Sequence, residues 1–257
     1  MWVPCLGFLT LTTLLSGVIA VVPCLNIEKD LKDHWGNDIK PRVRSYSSNL
    51  ALTEPTCIAS FTDDHLIWLA AKGYEDMLAK YRVDHPRENR VPGAMALFAP
   101  EGERKIYLGS SVKGVLDSPQ DFFVHEKLLE WFHRCGPHRT DGSCGEFSVL
   151  QSYFDTHRAP DCTIPPNSRI VAWVNGKLRP PCSDDANGVG CRKLVNDFRL
   201  RAIEPKTDGI TKIGTGNHAR YPGTPPEGLQ FVGRNDRNTQ EGAQEVMSRG
   251  GQGQRTC

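Results

Sequence analysis

The residues best suited to chemistry are three cysteines and one glutamate in the second half of the chain. Cys144 and Glu146 lie in the sequence Ser-Cys-Gly-Glu, Cys182 follows two prolines, and Cys191 follows a glycine. Three thiolates are a soft ligand set that suits Zn²⁺, and a carboxylate beside such a metal can act as general acid and base. We therefore expect Cys144, Cys182 and Cys191 to hold a zinc ion and Glu146 to move protons.

These groups can converge only if helices begin at the cysteines. Residues i and i+2 lie about 200° apart in the middle of a helix, so Cys144 and Glu146 can share a target only in a first turn. Free N–H groups and the helix dipole also favour a thiolate there. Apolar residues at helical spacing predict a helix after each cysteine: Phe147, Leu150, Tyr153 and Phe154 follow Cys144, and Leu194, Val195 and Phe198 follow Cys191.

The remaining pattern predicts an α/β fold. A helix is expected after the N-cap Thr62, and Gly136-Pro137 ends a second helix that starts near Asp117. Strands are expected at 94–98 and 105–108 as a hairpin, at 169–174 as a buried central strand, and more weakly at 200–203. A central sheet with helices on both faces is the natural packing of these elements.

This order of elements resembles the zinc-dependent cytidine deaminase-like superfamily over roughly residues 62–205. The segment 91–109 looks like the family's first hairpin, Cys144-Gly-Glu146 looks like its helix motif, and Pro181-Cys182 with Cys191 looks like its second ligand motif. The resemblance implies a three-layer α/β/α sandwich with a mixed sheet. It also implies that Cys144, Cys182 and Cys191 bind Zn²⁺ while Glu146 acts as general acid and base in hydrolytic deamination of a nucleobase.

Two departures from the family pattern bear on the substrate. Eight residues separate Cys182 from Cys191, where the family usually has two, although the Gly- and Asp-rich insert can loop out. The second strand is followed by the sequence Gly-Ser-Ser-Val-Lys, without the Asn and Glu that hold ribose in the free-cytidine enzymes. The expected substrate is therefore a base in a nucleic acid, single-stranded nucleic acid included, or another nucleoside, or there is no substrate at all.

The ends of the chain indicate a secreted protein. Residues 1–20 form a short apolar run with Val18 and Ala20 at the small-residue positions, as in a cleaved signal peptide. An uncleaved anchor is the alternative, but the run is barely long enough to span a bilayer. We expect an irregular lead-in at 21–61, the deaminase-like domain at 62–205 and a flexible Gly- and Arg-rich tail at 206–257. A secreted single domain is similar to the toxin-type deaminase branches. We expect no membrane attachment of this protein after the signal peptide is cleaved.

Disulfides are the main alternative to a metal site. Nine cysteines are present, and removal of Cys5 with the signal peptide leaves eight, an even number that is typical of a disulfide framework outside the cell. A disulfide between Cys182 and Cys191 would give a secreted interaction protein without catalysis. The zinc interpretation leaves five cysteines, so parity favours disulfides while the spacing of the motifs favours zinc. We expect zinc.

Two other sets of residues could have functional roles but are expected to be structural. His133, Cys135 and His138 form another possible metal cluster, but they surround a predicted helix end, where histidines complement the dipole, and this structural role is the expected one. Trp131 and Trp173 could stack on a base, but their apolar neighbours favour core packing. The net charge of +1 gives no argument for nucleic-acid binding by the protein as a whole.

Overall fold

The computed structural model describes residues 25, 27–30, 44–52, 58–88, 93–114, 125–157, 162–205 and, for the backbone alone, 231–234. In these residues the protein has a mixed α/β fold with one eight-stranded sheet and four α-helices. The strands are β1 (Glu28–Lys29), β2 (Tyr46–Leu52), β3 (Met95–Ala99), β4 (Lys105–Ser110), β5 (Arg169–Val174), β6 (Lys177–Arg179), β7 (Arg201–Ala202) and β8 (Phe231–Arg234). The helices are α1 (Asp63–Asp84), α2 (Glu126–Cys135), α3 (Gly145–Thr156) and α4 (Cys191–Asp197).

The sheet is antiparallel except at one short pair. Its main order is β1-β2-β4-β3-β5-β6, β8 pairs with β2, and β7 runs parallel to β5. The hairpin expected from the sequence is β3 and β4, in which Leu97 lies opposite Leu108. The predicted central strand is β5, which pairs with β3. The weak strand expected near residue 200 is β7.

Helix α1 covers one face of the sheet. Thr62 caps it as expected, because the Thr62 hydroxyl accepts a hydrogen bond from the backbone N–H of His65. Its buried side chains, Leu66, Leu69 and Met77 among them, belong to the same core as Leu97 and Leu108. Alternation along β3 and β4 directs these leucines to the α1 side.

Helices α2, α3 and α4 cover the opposite face. Phe98 of β3 and Tyr107 of β4 point to this side and pack with Phe147, Leu150 and Tyr153 of α3. The two tryptophans considered as base-stacking groups lie in the two cores: Trp131 is buried on the α3 side and Trp173 is buried on the α1 side. The expectation of core packing is therefore correct for both.

The structure also contains strands that the sequence pattern did not predict. The lead-in was expected to be irregular, but it supplies β2, which lies between β1 and β4. Its residues Ser47 and Ser48 are buried, with hydroxyls that donate to Asp30 Oδ1 and Leu25 O. The tail supplies β8, and β6 extends the sheet beyond β5 through a turn. Strands β1, β2 and β8 thus lie outside residues 62–205.

Several expectations concern residues outside the described part of the chain. These are the signal peptide at 1–20, the helix start near Asp117, and the partners of Cys24, Cys57 and Cys257. The start of α2 at Glu126 and its end before Gly136 are described, and the latter agrees with the predicted stop. None of the described helices has the length and apolar character needed to cross a bilayer.

Candidate metal centre

The structure brings together four side chains that can bind a metal. They are His138, Cys144, Cys182 and Cys191, and one ligand atom from each lies within 4.8 Å of all the others. Three of them are the cysteines expected from the sequence. The cluster could bind a metal ion, and its sulfur-rich donor set fits zinc much better than the oxygen-preferring Mg²⁺ or Ca²⁺.

Cys144 is positioned by the way α3 approaches the sheet. It is the N-cap residue of α3, as the sequence predicts. The next residue, Gly145, lies so close to the sheet that a Cβ atom there would be 3.0 Å from Ala96 Cβ and 3.1 Å from Gly109 O. The absence of a side chain at Gly145 therefore lets the N-terminus of α3 reach the ends of β3 and β4, and Cys144 with it.

Cys182 and Cys191 are held against each other by backbone contacts. Cys191 is the first residue of α4, and its N–H donates to Cys182 Sγ at 3.1 Å. The N–H of Arg192 donates to Cys182 O at 3.0 Å. A Cβ atom on Gly190 would lie 2.2 Å from Cys182 O, so only glycine allows the chain to pass there. The eight-residue insert thus leaves its two ends in contact.

The insert also forms part of the site, because it pairs with the segment that carries His138. The N–H of Val189 donates to Pro137 O at 3.0 Å, and the N–H of Arg139 donates back to Val189 O at 3.0 Å. Arg139 adds an ion pair with Asp185, at 3.2 Å between Nη2 and Oδ2. The loop therefore fixes the backbone on both sides of His138.

The interpretation of His138 as a helix-end residue that complements the dipole is wrong. Its side chain is 1% exposed, its ring packs edge-on against Phe147, and its Nε2 atom lies 3.4 Å from Cys191 Sγ. His133 does remain exposed at the end of α2. No local sequence signal distinguishes the two histidines, because His138 reaches the cluster through pairing with Val189, which is far away along the chain.

The protonation of the three thiols in the metal-free cluster is coupled. Hydrogen bonds from Cys144 and Cys191 hold the pKa of Cys182 far below its ordinary value. The hydrogen bond that Cys144 gives to Cys182 raises the pKa of Cys144, and bonds to Cys144 and Cys182 raise the pKa of Cys191. One thiolate is thus stabilised by two thiols. A dication that replaces the two S–H protons would allow all three sulfurs to be thiolates.

Glu146 lies in the first turn of α3 beside this cluster. Its side chain is 7% exposed, and burial raises the pKa of its carboxyl group. Cys182, Cys191 and His138 are close enough to influence the charge of Glu146. The carboxyl group is therefore both near the thiols and able to hold a proton, which are the two properties required of a general acid and base.

A shallow recess lies against Glu146. It has no space wide enough for a water molecule, and its walls are Glu146, residues 170–172 of β5, Arg179, Pro181 and Ile203. Typical small-molecule sites enclose roughly 300–1,000 Å³. Neither a nucleoside nor a bare base could therefore enter the recess unless its walls moved apart.

In the described part of the chain, Cys135, Cys144, Cys182 and Cys191 are free thiols. The disulfide between Cys182 and Cys191 that was weighed against zinc is not formed in this structure. Outside the cluster, the Cys135 thiol lies 3.3 Å from Asp197 Oδ2 on α4.

Comparisons with protein-family models, with curated proteins and with solved structures found no match. Functional assignment therefore depends on the chemistry of the cluster and of Glu146.

Proposed function

We propose that this protein is a secreted zinc-dependent hydrolytic deaminase that acts on a nucleobase. Its fold would be the three-layer cytidine deaminase-like sandwich, with Cys144, Cys182 and Cys191 as zinc ligands and Glu146 as the catalytic residue. The observation that carries the proposal is the buried carboxyl group of Glu146 beside three clustered thiols, with Cys144 and Glu146 at the start of one helix and Cys191 at the start of another.

The arrangement of the elements supports the same proposal. A hairpin, a helix that begins at Cys-x-Glu, a buried strand and a second helix that begins at a cysteine occur in the order that the superfamily shows. Helices lie against both faces of the sheet, and β5 connects the two ligand-bearing regions. The Cys182–Cys191 insert does not prevent convergence, because its ends remain in contact.

The proposed reaction replaces the exocyclic amino group of the base with oxygen from water. Zinc held by the thiolates would supply Lewis acidity and lower the pKa of water to about 7. Glu146 takes a proton from the attacking water and transfers it to the ring nitrogen of the base. The C–O bond forms, the C–N bond to the amino group breaks, and the amino group leaves as ammonia after it receives the second proton from water.

The surroundings of the site argue against free cytidine as the substrate. The ribose-binding Asn and Glu of the free-cytidine enzymes are missing at the end of β4, where Ser110 and Ser111 stand. The Ser110 hydroxyl is engaged inside the sheet, as it accepts from the backbone N–H of Tyr46 at 2.9 Å. Because these ribose ligands are missing, we propose a base that reaches the site from a flexible nucleic acid, such as a single strand.

A second candidate function follows from His138. If His138 bound the metal together with the three cysteines, zinc would have four protein ligands, and such closed sites are typically structural. The protein would then be a secreted interaction protein that keeps the fold without catalysis. The presence of His138 in the cluster is the observation that favours this candidate.

Metal analysis and an ammonia-release screen test the proposal. Purified mature protein should contain one zinc per chain, and it should release ammonia from nucleosides, single-stranded DNA or RNA. Glu146→Gln should retain zinc but lose about 10²–10⁴-fold in rate, the usual contribution of a general acid and base. The exposed Glu130 on α2 is the matched control, and Glu130→Gln should change neither property. Zinc without any ammonia release would favour the second candidate. Absence of zinc would exclude both the zinc-dependent deaminase and a structural zinc site.

A further inference from the structure

The two candidate functions differ in the role of His138, and its hydrogen bonds distinguish between them. The Nε2 atom lies 3.4 Å from Cys191 Sγ. That distance alone is not decisive, because two ligands of a tetrahedral zinc ion also lie about 3.5 Å apart when Zn–N is about 2.0 Å and Zn–S about 2.3 Å. The other ring nitrogen, Nδ1, is more informative.

Nδ1 of His138 faces hydrogen-bond donors. The backbone N–H groups of Thr140 and Gly142 both point at it, at 3.3 and 3.4 Å, and the Thr140 hydroxyl lies 3.1 Å away. A backbone N–H can only donate, so Nδ1 must offer its lone pair. The neutral ring then carries its proton on Nε2.

A histidine that binds zinc through Nε2 normally shows the opposite pattern. Its Nδ1–H group donates to a carboxylate, a backbone carbonyl or water, and this bond fixes the tautomer for coordination. Here a proton on Nδ1 would face two fixed N–H groups. The turn that directs the Gly142 N–H at the ring includes Asp141 and Gly142, both with positive φ, and is closed by the Asp141 N–H bond to His138 O at 2.9 Å.

We infer that His138 is not a zinc ligand but a positioning residue whose Nε2–H donates a hydrogen bond to the Cys191 thiolate, which leaves the fourth coordination position open for water. This inference rests on the proposed zinc site and adds to it the reason why that site can be catalytic. His138 acts through Cys191, because it touches a ligand rather than the reacting atoms.

Cys182 Sγ also has a donor, because it accepts from the Cys191 N–H at 3.1 Å. Cys144 Sγ lies 3.0 Å from the Thr140 hydroxyl, but that hydroxyl has only one proton and also faces Nδ1 of His138. With His138 as donor to Cys191, two of the three sulfurs therefore have an N–H donor. Such bonds orient thiolates and disperse their charge.

The tautomer of His138 tests the inference directly. In the zinc-loaded full chain, long-range ¹H–¹⁵N correlation NMR should show His138 with the proton on Nε2 and none on Nδ1. Zinc X-ray absorption should show three sulfurs and one light atom, without the outer-shell scattering of an imidazole ring. A metal-bound Nε2 with a proton on Nδ1, or a clear imidazole signal, would overturn the inference and support a closed structural site.

Variants of His138 provide a second measurement. His138→Ala should weaken zinc binding by about 10–100-fold, as loss of an outer-shell partner does, and the Co²⁺-substituted protein should keep its tetrahedral three-sulfur spectrum. His138→Gln, which restores an N–H donor, should recover most of the affinity, while His133→Ala on the exposed end of α2 should have no effect. Loss of the tetrahedral spectrum in His138→Ala, without rescue by glutamine, would contradict the inference.

The same measurements separate this inference from the proposed function. If the protein binds no zinc, the proposed function is excluded. The tautomer of His138 is then measured in the metal-free protein, and a proton on Nδ1 there would overturn the hydrogen-bond assignment. If zinc is bound with Nε2 protonated but no base is deaminated, the assignment of His138 stands and the proposed reaction is wrong.

Discussion

The backbone N–H of Cys191 donates to the sulfur of Cys182 at 3.1 Å across an insert of eight residues. The first residue of α4 therefore binds the other cysteine of its own loop before any metal is involved. Gly190 makes this contact possible, because the carbonyl oxygen of Cys182 occupies the space where a side chain at position 190 would lie.

Gly190→Ala is predicted to damage the metal site. Gly190 has a φ of −97°, which alanine adopts without strain, so the effect should come from the Cβ atom placed 2.2 Å from Cys182 O. We expect a loss of about 1–3 kcal/mol in the free energy of unfolding, as for other overpacked positions, together with weaker zinc binding. Denaturant unfolding and chelator competition measure the two effects.

Gly102→Ala is the control for this substitution. Gly102 has a φ of +72°, and no atom lies within 4 Å of the position that an alanine Cβ would occupy there. Alanine should therefore cost about 1–2 kcal/mol through backbone strain alone. Zinc affinity should not change in this variant. Equal zinc affinity in both variants would contradict the proposed role of Gly190.

Removal of zinc is predicted to lower thermal stability. Zinc at 100–1,000 times its Kd stabilises the folded state by about 3–4 kcal/mol, which corresponds to a change of about 6–16 °C in Tm for a chain of this size. Chelator should therefore lower Tm in the wild type. Cys144→Ser should show the lower Tm even with zinc present, because serine is a poor ligand for this metal.

Cys135→Ser tests whether this effect is specific to the cluster. Cys135 lies at the end of α2 and contacts Asp197 rather than the three clustered cysteines. Its replacement should leave the response to chelator unchanged. An equal response in all three proteins, or none in the wild type, would show that zinc does not support the fold.

A pH-dependent stability is predicted at Glu103, which lies on the α3 side of the sheet, away from the metal cluster. Burial raises the pKa of Glu103 from 4.5 to about 7, with smaller opposing contributions from Tyr153 and Lys105. The folded state therefore binds more protons than the unfolded state between pH 4.5 and 7. The contribution of Glu103 to stability is present below pH 4.5 and is lost as the pH rises to about 7.

Glu103→Gln should remove this loss. Between pH 4.5 and 8, the stability of the variant relative to the wild type should increase by about 1–3 kcal/mol. This energy is reduced to allow for the partial exposure of the Glu103 side chain. His157, which lies 3.3 Å from Glu103 and has a pKa lowered by burial, titrates in both proteins. Chemical unfolding at several pH values measures the difference, with Glu101→Gln as control. A constant difference across the range would contradict the prediction.

Arg169 is predicted to be essential for attaching the start of α1 to the sheet. It is 7% exposed, and its guanidinium group donates to Phe61 O at 2.6 Å and to Ile58 O at 2.7 Å. Arg169→Met would leave Phe61 O without this donor, while Ile58 O would keep the Phe61 N–H at 3.0 Å, and it should cost about 1–3 kcal/mol. Arg201→Ala, which removes an exposed ion pair with Asp63 at the start of α1, should cost at most about 1 kcal/mol. Similar losses in the two variants would refute this distinction.

The sequence predicted those parts of the fold that local patterns determine. The cap at Thr62, the hairpin of β3 and β4, the helix that begins at Cys144 and the strand β5 each have a local signature of capping, turn or apolar residues. Strand β2 has no such signature, because Ser47, Ser48 and Asn49 are buried in it. Their polar groups are compatible with burial only because distant residues such as Asp30 supply hydrogen bonds.

The candidate site was predictable to the same extent. Cysteine spacing and helix starts indicated three members of the cluster and Glu146. His138 could not be found in this way, since its position depends on pairing with Val189 across the insert. The sequence indicated only that the insert can loop out. In the structure, the insert pairs with the backbone on both sides of His138 and so positions it.

The pairing of Val189 with the His138 segment also has a kinetic consequence. His138 and Cys144 are close in sequence, and so are Cys182 and Cys191, but β5 separates the two pairs. Neither pair alone provides the three sulfurs of a tight site, so a folding chain gains high zinc affinity only after β5 has added to the β3–β4 hairpin and the insert has docked. We expect metal capture to be a late step, which slows unfolding of the completed protein more than it accelerates folding.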